Sequence, residues 1–312
     1  MSYEKRVLPE LMPMLQSNIK FDLNKDLDMM RKLPIPTIEK SPNVLTTACM
    51  IDGPESKLLV KIYEPNARNG RKLPAVFWIH GGGYVMGHPD GDDSLCECFV
   101  TDINCVVVSI DYRLAPEHKY PAAIEDCYAG LKWTVNNAEK LKIDISRIAI
   151  AGASAGGGLT AALALMVRDR GEIEVVFQAP LYPMLDDRNV TFSSHEINEE
   201  NLPKAWNREA NEIAWKMYLG DKVSDEISYY AAPARAKYLT GLPPAYIFIG
   251  QLDPFRDETL EYVSRLAKAG VPVEFHLYPG CFHGFDSIFN NADISKQARG
   301  GFINALSKAL NK

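Results

Sequence analysis

The sequence reads as an α/β protein with a mostly parallel, doubly wound sheet flanked by helices. Three observations lead to that fold class. From about residue 60 onward, short strand-like apolar runs alternate with longer helix-compatible ones, which is the pattern of strands joined by crossover helices. The strand-like run 147–151 passes into helix-compatible sequence through Gly152-Ala153-Ser154-Ala155-Gly156, a glycine-hinged strand-to-helix turn. A second run, 75–79, ends at His80-Gly81-Gly82-Gly83-Tyr84. Both glycine-rich segments therefore fall where strands end, the edge at which open α/β sheets place their chemistry.

In chain order, residues 75–79 are the strand leading into the glycine triplet, and residues 105–110 form a second strand. A helix is expected over 122–139, then the strand 147–151 and a helix through 158–166 behind Ser154. A further strand is expected over 174–178. In the segment that follows, Trp206, Ala210, Ile213, Ala214, Met217 and Tyr218 fall at helical spacing on one face. Residues 244–250 read as a buried strand, 256–268 as a helix, and 271–278 as a last strand ending at Pro279-Gly280. Two stretches stand outside the alternation: residues 1 to about 45 and about 186 to 220. Within the second, residues 190–202 read as an entering loop whose Glu196, Glu199 and Glu200 are expected to be solvated. No internal repeat or low-complexity linker divides the chain, so a single domain over 1–312 is expected.

The chemistry is concentrated at four places. The turn at 152–156 presents Ser154 at its apex above a helix N-terminus. Attack on a carbonyl passes through an oxyanion, which needs N–H donors on a loop free of side chains; Gly82, Gly83 and Ala155 are candidates for that role. A Walker-type phosphate loop is not supported, since no Gly-Lys-Ser/Thr follows the triplet. His80, just before the loop, is expected to brace it by hydrogen bonding. The acid and base are sought downstream in the order Ser, acid, His. Asp253 sits in the loop after the strand 244–250, and His283 in the loop after the strand ending at 280. His276 lies inside a strand and is the poorer base. Asp257 and Glu258 fall in the first helical turn, where they complement the dipole or bind backbone amides.

These motifs, with Asp111-Tyr112-Arg113-Leu114-Ala115-Pro116-Glu117 and Asp253-Pro254-Phe255-Arg256-Asp257-Glu258, span residues 80–285 in order. The chain resembles the hormone-sensitive-lipase-like (family IV) carboxylesterases of the α/β-hydrolase superfamily. That resemblance implies an α/β-hydrolase fold with Ser154 as nucleophile, His283 as base, Asp253 as acid, and Gly82, Gly83 and Ala155 as oxyanion-hole donors. It also implies a helical cap formed by about 1–45 and 186–220. One departure is visible: the family carries Asp or Thr where this chain has Ala153. The activity implied is serine carboxylesterase, hydrolysing short-chain esters through an acyl-enzyme. An amidase, peptidase or lactonase would use the same groups. A non-catalytic small-molecule receptor is the more distant alternative, and the presence of His283 weighs against it.

Composition narrows the partners. Of 312 residues 46% are hydrophobic, and 34 Lys and Arg against 40 Asp and Glu give a net charge of −6. A sizeable core is affordable, and no basic stripe points to nucleic acid or an anionic membrane. The N-terminal stretch is broken by Pro9, Glu10 and Pro13, so no signal peptide or membrane span is expected. Cys49, Cys96, Cys98, Cys105, Cys127 and Cys281 show neither a disulfide nor a zinc pattern, and reduced thiols in the cytoplasm are expected. Cys281, two residues before His283, is read as a small space-filler. The expected site has no metal and no cofactor. Its partner is a small-molecule ester, and a homodimer stays open.

Overall fold

The computed structural model describes residues 3–16, 22–35, 39–68, 70–221 and 226–311. Eight strands form one sheet: β1 (Val44–Asp52), β2 (Lys57–Pro65), β3 (Leu73–Ile79), β4 (Val106–Asp111), β5 (Ile143–Ala153), β6 (Phe177–Leu181), β7 (Ala245–Leu252) and β8 (Val273–Phe282). Their spatial order is β1-β2-β4-β3-β5-β6-β7-β8. Strands β1 and β2 pair antiparallel, as do β2 and β4, and every pairing from β4 through β8 is parallel. Strand β3 is an unbroken apolar run, and β4 and β6 are apolar apart from Ser109, Asp111 and Gln178, because both of their faces are buried along nearly their whole length.

The helices are α1 (Pro13–Gln16), α2 (Leu23–Arg31), α3 (Asp93–Ile103), α4 (Ala122–Asn136), α5 (Ala138–Leu141) and α6 (Ala155–Arg170). They continue with α7 (Phe192–Glu196), α8 (Arg208–Leu219), α9 (Arg256–Lys268), α10 (Phe285–Ile288) and α11 (Asp293–Leu310). Successive residues of β3 show how both faces are covered, since side chains alternate along a strand. Trp78 meets Phe99 of α3 at 5.4 Å between ring centres, and Phe99 meets Phe302 of α11 at 5.7 Å. Phe77 points the other way, where a Cβ on Gly130 of α4 would come within 3.0 Å of its ring. Helix against sheet thus closes without a larger residue at 130.

Several boundaries differ from expectation. The helix over 122–139 breaks at Asn137 into α4 and α5. The strand expected at 174–178 forms instead at Phe177–Leu181, where it pairs with Ala149–Ala153 of β5. It tolerates Pro180 because β7 pairs with it only at Gln178. Strand β8 does not end at Pro279-Gly280 but continues to Phe282, since an edge strand can carry a proline. Trp206 precedes α8 and is not part of its stripe; Trp215 and Leu219 are buried there instead, beside Ala210, Ala214 and Tyr218.

Candidate active site

Strand β5 turns into α6 at Ser154, whose φ of 59° and ψ of −119° lie where L-residues are strained. Its N–H donates to the Leu181 carbonyl at 3.0 Å, and its carbonyl accepts from the N–H groups of Gly158 and Met184. A Cβ on Gly156 would sit 2.1 Å from the Ile79 carbonyl oxygen, so helix and strand approach this closely only around glycine. The turn holds the Ser154 hydroxyl above the sheet.

Strands β7 and β8 deliver the next two groups from their ends. Ser154 Oγ lies 2.8 Å from His283 Nε2, and His283 Nδ1 lies 2.7 Å from Asp253 Oδ2. Asp253 is fully buried and its Oδ1 accepts the Phe255 N–H at 2.9 Å. An ionised carboxylate only accepts, so Nδ1 carries the hydrogen and Nε2 offers its lone pair to the serine hydroxyl. Edge-on rings of Tyr182 and Phe255, at 5.2 and 4.9 Å, fix the imidazole plane.

The loop after β3 approaches the same hydroxyl. Gly82 takes a φ of 116°, and a Cβ there would fall 2.0 Å from the Met86 carbonyl oxygen. Among the described residues, the N–H groups of Gly82, Gly83 and Ala155 have no hydrogen-bond partner. His80 is buried behind this loop, its Nδ1 2.8 Å from the Gly81 carbonyl and its ring stacked on Tyr112 at 4.2 Å. Burial depresses its imidazole to about 4, which keeps it neutral and bracing. His276 sits mid-strand opposite Phe248, with Nε2 2.9 Å from Glu274, and is not brought to Ser154.

Around this arrangement lies a cavity of about 1370 Å³. Met14, Met30, Leu33 and Ile35 of the N-terminal segment and Trp206 of the segment between β6 and β7 line it together with Ser154 and His283. The Trp206 ring stands 6.3 Å from that of His283.

The sequence pattern of the α/β-hydrolase fold family matches residues 76–287. The chain belongs to that family. Within it, the relatives are hormone-sensitive-lipase-like esterases. Esterase LipI of Mycobacterium tuberculosis (strain ATCC 25618 / H37Rv) is 38% identical over 258 residues, 82% of this chain and 79% of the relative. Among solved structures, a bacterial heroin esterase superposes with a TM-score of 0.90 at 35% identity, covering 99% of both chains. Esterase LipW from Mycobacterium marinum gives 0.87 at 35% identity, over 98% of this chain and 96% of that one. The α/β hydrolase described here is a carboxylic ester hydrolase.

Other features of the hydrolase explain how its site is held. Asp257 Oδ2 accepts the Ser193 N–H at 2.7 Å, and Glu258 Oε1 accepts from Leu185 and Asp186 at 2.8 and 3.2 Å. Both bind backbone amides rather than the imidazole. Glu196 departs from the expected solvated face. Its carboxylate takes Arg6 Nη1 at 2.6 Å and Arg256 Nη1 at 2.9 Å and is only 7% exposed, because the two cations it needs come from distant parts of the chain. Burial pushes this carboxyl up, and the two guanidiniums outweigh that and hold it below its ordinary value. Glu199 and Glu200 are exposed. Arg31 of α2 donates to the carbonyls of Val85 and Ala115, fastening the N-terminal segment to the loops after β3 and β4. All six cysteines are unbridged, and burial pushes the Cys281 thiol up to about 12. Among the described residues, no group of three His, Cys, Asp or Glu could hold a metal, and no helix is long and apolar enough to cross a membrane.

Nothing in the sequence singles out Tyr182, which sits in the loop after β6, where no periodicity marks a side chain's direction. Trp206 lines the cavity as a cap segment would, but from the loop before α8 and not from a helical stripe.

Proposed function

We propose that the protein is a serine carboxylesterase acting on water-soluble esters with short acyl chains. The observation that supports this best is the line of contacts Ser154 Oγ–His283 Nε2 at 2.8 Å and His283 Nδ1–Asp253 Oδ2 at 2.7 Å, facing free N–H donors. In this reading, neutral His283 takes the Ser154 proton as Oγ attacks the ester carbonyl. Asp253 holds the ring and stabilises the imidazolium that forms. The N–H groups of Gly82, Gly83 and Ala155 receive the oxyanion. His283 then gives its proton to the leaving alcohol, and the acyl-enzyme is released by water activated in the same way.

The segments carrying Met14, Met30 and Trp206 act as the cap. The cavity of about 1370 Å³ exceeds the roughly 300–1,000 Å³ usual for small-ligand sites, which leaves room for a bulky alcohol beside a short acyl chain. Each added methylene contributes about 0.8 kcal/mol while it still fits. Along a p-nitrophenyl series from acetate to palmitate, kcat/KM should therefore rise and then fall; a value still climbing at palmitate would refute the short-chain assignment. Matching anilides separate esterase from amidase. A phosphonate inhibitor should label Ser154, and Ser154→Ala should lose at least about 10⁴-fold in kcat with its fold intact. A variant keeping a tenth of wild-type activity would remove Ser154 from the mechanism. Six unbridged cysteines suit a reducing compartment, and the cytoplasm is the location proposed.

A further inference from the structure

One part of the cavity wall carries charge that the serine, histidine and Asp253 do not use. Asp92, Asp286 and Arg299 line it together with Trp78 and Tyr182. Asp92 ends the short 3₁₀ turn Pro89–Asp92, while Asp286 lies in α10, three residues beyond His283. Asp286 is 3% exposed, and its Oδ1 is buried with no hydrogen-bond partner. Arg299 Nε is likewise unpartnered, and approaches Asp286 Oδ2 only to 4.0 Å. Asp92 is half-buried, with its Oδ2 accepting the Trp78 indole N–H at 2.7 Å.

The charges here do not balance. Two carboxylates face one guanidinium, and that guanidinium does not close on either of them. Burial pushes the Asp92 carboxyl up to about 6 against the Trp78 hydrogen bond, and the charge of Asp286 adds to the rise. Burial raises Asp286 in the same direction. Buried acids of this kind are stabilised by a hydrogen-bonding cation. The Tyr182 hydroxyl already bonds the Asp286 carboxylate, and a neutral donor of that kind leaves the excess negative charge in place. Tyr182 in the same wall brings an aromatic ring, and its edge-on contact with His283 at 5.2 Å puts the wall within the span of a small ester bound at Ser154.

We propose that the Asp92–Asp286 wall is a subsite for a protonated amine carried by the ester substrate. The assignment rests on Ser154-dependent ester hydrolysis as proposed above. Asp92, the half-buried carboxylate, accepts the ammonium hydrogen, the buried Asp286 behind it adds negative charge, and Arg299 limits how strongly the wall attracts a cation.

The test compares esters that differ only in charge, at about pH 7. On the alcohol side the pair is 2-(dimethylamino)ethyl acetate and 3-methylbutyl acetate. On the acyl side it is the p-nitrophenyl esters of 4-(dimethylamino)butanoic and 5-methylhexanoic acids. In at least one pair, kcat/KM for the amine should exceed that for its isostere by about tenfold, the scale of a charge-assisted hydrogen bond. Asp286→Asn and Asp92→Asn should each lower the ratio, and Arg299→Gln should raise it. Turnover of the isostere in the same variant reports its folding, and a purely structural role would not move the ratio in opposite directions. A ratio near one in both pairs, with the isosteres hydrolysed, overturns the subsite and leaves the esterase standing. A ratio unchanged by the Asn variants overturns it equally. If no ester in either pair is hydrolysed, the esterase reading fails and the subsite with it.

Discussion

Asp253→Asn isolates the orienting role from the shape of the side chain, because both carboxylate oxygens are committed. Oδ1 accepts the Phe255 N–H at 2.9 Å and Oδ2 faces His283 Nδ1 at 2.7 Å. In the asparagine variant the amide oxygen must stay on Phe255, since turning the amide would set one N–H against another. The NH₂ group then points at His283 Nδ1, which has to accept instead of donate. The ring hydrogen moves to Nε2 and aims at Ser154 Oγ, 2.8 Å away in the wild type, so the base is lost while every atom keeps its place. A wrong tautomer of this kind costs about 10⁴ in kcat, or about 5.4 kcal/mol of barrier at about 1.36 kcal/mol per tenfold. Because Phe255 keeps its acceptor, the melting temperature should shift by only a few degrees. The assay is kcat and KM on p-nitrophenyl acetate near neutral pH, beside a thermal melt. A variant with an unaltered melt and kcat within about tenfold of wild type would refute the tautomer argument.

Three more outcomes follow from the same contacts. His80 titrates at about 4 when folded and near about 6.5 when unfolded; the unfolded chain binds the proton more readily, so stability is full above about pH 6.5 and falls toward pH 4. The loss is about 3 kcal/mol, and denaturant midpoints should show it flattened in His80→Asn, whose amide can still reach the Gly81 carbonyl. Glu196→Gln removes the charge shared by Arg6 and Arg256 and should cost about 2 kcal/mol by loosening the tie among the N-terminal segment, α7 and α9; an unchanged melt would dismiss that tie. Cys281, buried with its thiol raised to about 12, should resist iodoacetamide at about pH 8 without loss of activity, and rapid inactivation traced to that residue by peptide mapping would contradict its burial.

What the chain reveals of this site, and what it hides, follows from the range of the forces involved. The turn at 152–156 and the loop at 80–84 are legible because their constraint is local: backbone approaches of 2.1 Å at Gly156 and 2.0 Å at Gly82 leave no room for a side chain. Asp253 and His283 are legible because each directly follows a sheet strand, and parallel strands release their ends at one edge. The strand at 174–178 was displaced to Phe177–Leu181 because its limits are set by the register with β5, which no short window contains. Glu196 looked like one more surface acid because its partners Arg6 and Arg256 lie 190 and 60 residues away. The cavity is hidden for the same reason, being walled from opposite ends of the chain by Met14, Trp206 and Asp286. Reaction chemistry is therefore written in short segments whose backbone admits few alternatives. Substrate preference is written in pairings between distant segments, so a charge such as that on Asp286 becomes informative only once its neighbours are known.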